Sequence, residues 1–279
     1  MNTINKYIEV SELPHRADHL WRYTPWKKVH PTGKVKDVPK EVKGPKIRLL
    51  NLSGTESPPG IELIRGVGED IRLPESDDVS TNFIKSISED SKWILKTESK
   101  FNSNEPILIE IDAVDEINGI QLTLDIGDRC EFEIVTIIKG STNWMGLLRT
   151  GRIGNGSNIN DITVGLQERG TLLRVDAISL GRDAEFRTGT VSSGSERTKA
   201  DLRYRMGEIG SNLRVIGSIL SRDSMHLDHH IEIQHDAPQT FSRLSWNAAC
   251  GGKSKTIGTG MLKVANGSKG ADASQNFHN

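Results

Sequence analysis

Short runs in which apolar and polar residues alternate fill the chain from about residue 106 to residue 276. Clear examples are ILIEID at 107–112, EFEIVTII at 131–138 and NLRVIGSIL at 212–220. An alternation with a period of two is typical of β-strands that bury one face. Glycine, asparagine, aspartate or serine separates most runs, and the run centres lie about 12–14 residues apart, close to the spacing in all-β folds. The pattern therefore predicts a mainly β domain.

No helical pattern interrupts this series, which excludes a doubly wound α/β fold with crossover helices. A sandwich or a barrel would give the same alternation. The length of the series, its even spacing and its low aromatic content of 5% favour a β-solenoid, in which each strand stacks on the strand one coil below. No hexapeptide or nonapeptide motif recurs, so the predicted repeat is structural. We predict that this core occupies residues 106–279.

The first part of the chain has a different composition. Residues 31–60 are rich in proline and lysine, which disfavours long regular elements. A short helix is predicted from about Asn82 to Asp90. We therefore assign residues 1–105 to an irregular N-terminal arm and mixed region.

An aromatic cluster, HLWRYTPWKKV at residues 19–29, lies within this arm. Because tryptophan and tyrosine are favoured at the centres of interfaces, Trp21, Tyr23 and Trp26 are candidates for a partner interface. The alternative is that the arm folds back and caps an end of the solenoid, where strand edges would otherwise be unpaired.

The charge balance gives no reason to expect a nucleic acid or an anionic membrane as a partner. Lysine and arginine number 36 and acidic residues 37, for a formal charge of −1. No apolar stretch approaches the ~20 residues of a membrane-spanning helix, and the N-terminus lacks the features of a secretory signal. With two cysteines, Cys130 and Cys250, a disulfide framework is not expected, and the reducing cytoplasm is the predicted location.

A histidine-rich strand is the strongest candidate for metal chemistry. Residues two apart share a face of a strand, so His226, Asp228 and His230 should point one way and form a three-ligand metal site, while His229 and His235 point the other way. The alternative is that these side chains are solvated on the outside of a coil, with His235 hydrogen-bonded near a turn.

The two cysteines differ in sequence context. Cys250 precedes Gly251 and Gly252, which would let a ligand approach, and a free thiol there could bind sulfur or a metal; the alternative is a small buried cysteine at a strand end. Cys130 alternates with Glu131 and Glu133, and we expect it to face the core.

Paired carboxylates raise the alternative of a β-helix enzyme or binding protein that acts on carbohydrate. Asp125 with Asp128, and Glu131 with Glu133, are the nearest pairs, but a sugar site also needs an aromatic-lined cleft, and aromatic residues are few here. The glycines at 151, 154 and 156 do not form a phosphate-binding loop, because no Lys-Ser or Lys-Thr ending follows them.

A family resemblance rests on two ordered stretches. Residues 227–276 read LDHHIEIQHDAPQTFSRLSWNAACGGKSKTIGTGMLKVANGSKGADASQN, and this segment resembles the core of the SufB/SufD family of iron–sulfur cluster assembly proteins. Near the other end, WRYTP resembles an element at the start of SufD-type chains. The matching residues are Trp21, Arg22, Tyr23, Thr24, Pro25, Asp228, His235, Thr240, Ser242, Lys253, Ser254, Gly260, Gly267, Asp272, Ala273, Gln275 and Asn276.

The resemblance implies a right-handed parallel β-helix that pairs as a homodimer or with a SufB-like partner and works with a SufC-type ATPase. Family members continue past the Q-x-N segment into further strands and a helical region that docks the ATPase and supplies residues for cluster assembly. This chain stops at Asn279, so neither role is carried over.

The resulting hypothesis is a non-catalytic, SufD-like scaffold in the cytoplasm that acts by dimerisation and partner binding. Two cysteines cannot supply the four thiolates that commonly hold an iron–sulfur cluster, so any cluster must be shared with a partner chain. The alternatives are the carbohydrate-active β-helix and a standalone homodimeric structural protein.

Overall fold

A computed structural model describes residues 7, 13–15, 17–55, 58–66, 78–192 and 194–278. Within these residues the chain forms sixteen strands in two eight-stranded sheets, with a 3-10 turn at His19–Trp21 and the helices α1 (Trp26–Val29) and α2 (Val79–Ile87). The Asp78 side chain begins α2 by accepting a hydrogen bond of 2.7 Å from the Thr81 backbone N–H.

The strands alternate between the two sheets along the chain. Sheet I contains, in spatial order, β2 (Ile61–Arg65), β3 (Lys92–Thr97), β5 (Ile117–Asp125), β7 (Trp144–Ile153), β9 (Thr171–Leu180), β11 (Arg197–Met206), β13 (His226–His235) and β15 (Lys255–Val264). Sheet II contains β1 (Lys46–Leu50), β4 (Ile107–Ala113), β6 (Glu131–Gly140), β8 (Asn158–Gly165), β10 (Glu185–Ser192), β12 (Asn212–Ser221), β14 (Phe241–Cys250) and β16 (Asp272–His278).

Each strand from β5 onward lies parallel to the strand one coil earlier in the same sheet. Asn160 pairs with Glu133 27 residues earlier, and His230 pairs with Asp201 29 residues earlier. About seven such coils stack into a β-solenoid. The predicted β-solenoid is therefore confirmed, whereas the right hand of its coil stays a prediction.

The structural repeat is visible in the backbone at one corner of successive coils. Arg129, Gly156, Asp183 and Gly210 occupy equivalent corners and have φ values of 58°, 63°, 53° and 78°. This left-handed conformation is open to glycine and tolerated by a few polar residues. The repeat is therefore carried by a backbone conformation, which explains why no sequence motif recurs.

The N-terminal end of the solenoid is covered by antiparallel strands. β1 pairs antiparallel with β4, and β2 pairs antiparallel with β3. β3 already lies parallel to β5, so strands that precede residue 106 pair directly with the coils. The division into 1–105 and 106–279 stays a prediction.

Two hydrophobic clusters stabilise the chain. The larger one fills the space between the two sheets. The smaller one lies on the outer face of sheet I, where α2 and residues 17–42, here called the covering segment, pack against β7 and β9. Trp26 and Phe83 meet at a ring-centroid distance of 5.3 Å, and Trp144 donates 2.7 Å to the carbonyl of Val29. The aromatic stretch at residues 19–29 therefore lies along the side of the solenoid, whereas β1 and β2 from the same N-terminal region cover its end. The predicted helix near Asn82 is present but begins and ends three residues earlier.

An ion network interrupts the apolar core between the sheets. Arg149 on β7 binds both carboxylate oxygens of Asp161 at 2.8 Å and reaches Asp176 at 3.2 Å. Arg174 binds the same Asp176 at 2.6 Å and 2.9 Å. Two cations and two anions thus balance where water is excluded.

Candidate functional site

The covering segment meets the histidine-rich strand at a buried polar junction. The Thr24 hydroxyl donates 2.5 Å to Asp228 Oδ2 and lies 2.9 Å from His226 Nε2. Thr24 and Asp228 are 204 residues apart in sequence, and both are buried. The two stretches on which the family resemblance rests therefore bind each other.

A lysine completes this junction. Lys199 on β11 donates 3.0 Å to Asp228 Oδ2 and 2.6 Å to the carbonyl oxygen of Leu20. Its ammonium also lies 5.5 Å from the centre of the Trp21 ring, within reach of a cation–π interaction. Lys199 is only 1% exposed, and its buried charge is compensated by the Asp228 carboxylate, the Leu20 carbonyl and the Trp21 ring.

A second polar cluster lies next to this junction. His230 Nδ1 is 2.9 Å from Asp201 Oδ1, and Arg203 binds both Asp201 and Asp78. Burial acts to raise the pKa of Asp201, but Arg203 and His230 outweigh burial and lower it to about 2. The imidazole of His19 packs on His230 at a centroid distance of 5.8 Å. The cluster attaches Asp78, at the start of α2, to the face of sheet I.

A groove of about 580 Å³ opens beside the two clusters. Its charged side chains are paired: Arg203 with Asp78, Arg205 with Asp236 at 2.5 Å, and Lys263 with Glu232 at 2.8 Å. The groove therefore offers balanced charge and no concentrated anion or cation site. Its lining residues are His19, Leu20, Asp78, Arg203, Arg205, His230, Glu232, Gln234, Met261 and Lys263.

The predicted metal ligands His226, Asp228 and His230 do share the outer face of β13. The covering segment buries Asp228 and His230 to 2% and 4% exposure, so these two are not solvated, whereas His226 is half-buried. Each also has a protein partner, as described above. In the part of the chain that the structure describes, no group of three or more histidine, cysteine, aspartate or glutamate side chains is placed to hold a metal ion. A metal at these three residues stays a prediction.

The predicted interface aromatics separate into two environments. Trp21 and Trp26 are buried against sheet I and contact each other at a centroid distance of 5.5 Å, whereas Tyr23 is 51% exposed. Only Tyr23 is therefore available to a partner in this conformation. A partner interface at the three residues stays a prediction.

His229 and His235 face the inside of the solenoid, opposite the three outer residues. His235 is held at the turn after β13 by Thr240 at 2.7 Å and Ser242 at 2.8 Å, in agreement with the predicted hydrogen bonding near a turn. Burial lowers the pKa of the imidazoles of both His226 and His235. Thr24 thus orients the His226 ring at the start of β13, and Thr240 and Ser242 orient the His235 ring at its end.

The two cysteines occupy different environments. Cys130 is buried, as expected, and lies 3.4 Å from Thr97 Oγ1. Cys250 is exposed at the end of β14, which corrects the alternative of a buried cysteine at this strand end. Hydrogen bonds from Ser221 and Thr256 lower the pKa of the Cys250 thiol.

The paired carboxylates do not form a cleft with aromatic walls among the described residues. Glu133 accepts a hydrogen bond of 2.8 Å from Asn160 on the outer face of sheet II, and Glu131 accepts one from Asn158 at 3.4 Å. The groove there is about 260 Å³ and mainly polar, and its single aromatic lining residue, Phe132, belongs to the core between the sheets.

Sequence reasoning missed the residues that bind the predicted ones. Lys199, Asp201 and Arg203 on β11 were not selected, although they alternate with the core residues Ala200, Leu202 and Tyr204 in the printed sequence. The available signal was this row of charged residues on one face of a strand next to the histidine-rich strand.

We expect Asp228→Ala to release the covering segment. The buried ammonium of Lys199 and the hydroxyl of Thr24 would lose their carboxylate, and hydrogen bonds to charged groups contribute about 1.5–3 kcal/mol each. Loss of one such bond corresponds to an increase in local opening of about 10- to 100-fold, so the loss of both should increase opening by at least about 100-fold. Trypsin cleavage after Lys27 and Lys28, followed by mass spectrometry, measures this opening. Asp223→Ala in an exposed turn is the control; equal cleavage rates in both variants would contradict the prediction.

Acid should destabilise the solenoid through His229. Burial lowers the pKa of this imidazole to about 3, whereas an unfolded histidine has a pKa of about 6.5. The unfolded state therefore takes up the proton first, so the stability contributed by neutral His229 is present above pH 6.5 and is lost as the pH falls towards 3. At pH 4.5 this group accounts for a loss of about 2–3 kcal/mol.

Urea unfolding of His229→Leu at pH 7 and pH 4.5 tests this pH dependence. The free energy of unfolding of the variant should change less between the two pH values than that of the original protein. The same substitution at the exposed His15 should leave the pH dependence unchanged. If the free energy of unfolding of His229→Leu changed between pH 7 and pH 4.5 as much as that of the original protein, His229 would not be the cause of the acid destabilisation.

Comparison with protein families gives one match. Residues 126–279 match the SufBD core domain of SUF-system FeS cluster assembly. No curated protein matches the chain. In the described residues, no helix is both long and apolar enough to cross a membrane. The matched region contains β6–β16, with the histidine-rich strand and the sheet I residues of both clusters, and it covers more than half of the sequence. The chain therefore belongs to the SufB/SufD family of the SUF system and takes part in iron–sulfur cluster assembly.

Proposed function

We propose that this protein is a non-catalytic scaffold of SUF-type iron–sulfur cluster assembly that works in the cytoplasm through dimerisation and partner binding. The observation that carries the proposal is the match to the SufBD core domain over a solenoid whose interior is filled by side chains. With a filled interior, recognition falls to the outer faces and the ends of the sheets. SufB-like scaffolds and SufC-type ATPases are the proposed partners.

The covering segment supports partner binding on the outer face of sheet I. Its Tyr23 is 51% exposed, while the neighbouring Trp21 and Trp26 are buried against the sheet. Tyrosine is favoured at the centres of interfaces, so this exposed ring is the proposed point of contact with a partner.

The distribution of cysteine supports a cluster that is cargo shared between chains. Cys130 faces the solenoid interior, which leaves Cys250 as the thiol at the surface. Clusters are commonly held by four thiolates, so a partner has to supply the other ligands. The cluster is thus treated as a substrate of assembly that this chain does not hold alone.

Affinity purification of the tagged chain from its native cells under anaerobic conditions tests the proposal. SufB-like or SufC-type proteins should co-elute, and light scattering should give the mass of a complex or a dimer. Cluster absorbance after reconstitution should be larger for the complex than for the isolated chain.

A matched pair of charge substitutions locates the interface. Tyr23→Asp, in the covering segment, should reduce co-elution, while Leu220→Asp, at a similarly exposed site on β12, should not; the two side chains are 51% and 54% exposed. An eluate that lacks both kinds of partner and contains only monomer would refute the proposed function.

A further inference from the structure

A small cavity lies inside the solenoid and is lined by residues of β6, β8, β9, β10, β11 and β13. Its volume is about 10 Å³, measured as the room open to the centre of a water-sized sphere. That is about the minimum that a single water molecule needs. Although the sheets enclose an apolar core, the polar side chains of Arg174, Thr190, Ser192, Thr198 and His229 line this cavity.

Two of these polar groups have no protein partner. His229 Nδ1 and Thr198 Oγ1 are both fully buried, and neither has a hydrogen bond within the described residues. Thr198 pairs in register with Leu227, two residues before His229, so both side chains project to the same inner side of adjacent strands. A buried polar group without a hydrogen bond costs about 1–3 kcal/mol, and one bridging molecule in the cavity would remove both costs.

The charges around the cavity select a neutral occupant. Arg174 is the only permanently charged residue in the lining, and Asp176 binds its guanidinium through two oxygens at 2.6 Å and 2.9 Å. His229 is uncharged near neutral pH because of its burial, which lowers its pKa. The lining therefore has no unpaired charge that could compensate a bound ion. Because an unpaired buried ion is strongly unfavourable, the occupant should be neutral.

We propose that this cavity binds one internal water molecule, which bridges His229 Nδ1 and Thr198 Oγ1 between adjacent coils. Water can both donate and accept, so it satisfies the imidazole nitrogen in either tautomer and leaves the threonine hydroxyl free to take the complementary role. The bridge joins β11 to β13 inside the solenoid, directly beneath the junction that holds the covering segment on the outer face.

A crystal structure of the whole chain at high resolution gives the direct test. A single density peak with the height of a water oxygen should lie about 2.7–3.2 Å from both atoms. An empty cavity, or a peak too strong for a water oxygen, would overturn the proposal. A flip of the His229 ring that gives Nδ1 a protein partner would overturn it as well.

Two substitutions at Thr198 provide a solution test. Thr198→Val keeps the side-chain volume but removes the hydroxyl, whereas Thr198→Ser keeps the hydroxyl and removes a methyl group. Loss of the bridge should lower the melting temperature of Thr198→Val by about 2–6 °C relative to Thr198→Ser. The density peak should remain in the serine variant and be lost or displaced in the valine variant. A valine variant that melts at the same temperature as the serine variant, or above it, would show that no bridge contributes there.

Discussion

Replacing Arg149 by methionine should lower the free energy of unfolding by about 3–5 kcal/mol. Arg149 is fully buried between the sheets, where it binds Asp161 and Asp176. Burial acts to lower the pKa of Arg149, but the two carboxylates outweigh burial and raise it above its ordinary value. For Asp176, burial acts to raise the pKa, and Arg174 and Arg149 lower it. Methionine has a similar length but leaves three charges with a net charge of −1 in the core.

Urea unfolding at pH 7 measures this loss, and two further variants define its origin. Arg222→Met removes an exposed arginine whose nearest carboxylate is at 3.9 Å, and it should change the stability by less than about 0.5 kcal/mol. Replacing all four charged residues with Met and Leu should restore most of the loss, because an apolar set of similar volume leaves no charge unpaired. If Arg149→Met were as stable as the original protein, the network would not be needed to neutralise the core.

Trp246→Ala should also destabilise the protein by about 3–5 kcal/mol, because it removes the largest fully buried side chain of the core. The indole lies directly against Gly217 in the preceding coil, where a Cβ atom would come within 2.2 Å of the ring. It also contacts the imidazole of His229 at a centroid distance of 5.2 Å. Thermal and urea unfolding measure the change.

A double-mutant cycle with Gly217 separates this contact from general loss of volume. Gly217→Ala alone should destabilise by about 1–3 kcal/mol, because the methyl group overlaps the indole. In the Trp246→Ala background the same methyl group enters the space left by the ring, so the cost should disappear or change sign. Equal costs in both backgrounds would mean that Gly217 does not act through Trp246.

The fold was predictable because most strands bury one face only. Along β12, for example, buried residues alternate with exposed ones over the whole strand, which is the pattern that periodicity detects. The covering segment was less predictable because its aromatic cluster gives no sequence signal for the surface on which it packs. The spacing of the strands predicted the solenoid, and it carried no information about which sheet would be covered.

The polar core was missed because β7 and β9 are buried on both faces. In β9, Leu172, Arg174 and Asp176 point inward, while Leu173 and Val175 point outward under the covering segment. Alternation alone assigns the charged residues to solvent and the apolar ones to the core, which is the reverse of the actual arrangement at these positions. Which face of β9 points between the sheets is decided only by the tertiary contact of Leu173 and Val175 with the covering segment.

The candidate site was predicted in part. The shared face of His226, Asp228 and His230 follows from the two-residue period and is present. Their burial does not follow from it, because Thr24 and Lys199 come from distant parts of the chain. The histidines of β13 led to the prediction of a metal site. The observed contacts instead join β13 to the covering segment and to β11.

The attachment of Thr24 to Asp228 also determines the order in which the protein can mature during synthesis. Coils of a solenoid can be added one after another as the polypeptide leaves the ribosome, since each needs only the coil before it. Residues 17–42 are made early, yet part of their binding surface is encoded 204 residues later. This segment can therefore pack its tryptophans on α2, β7 and β9 before its last polar contact, between Thr24 and Asp228, forms with β13.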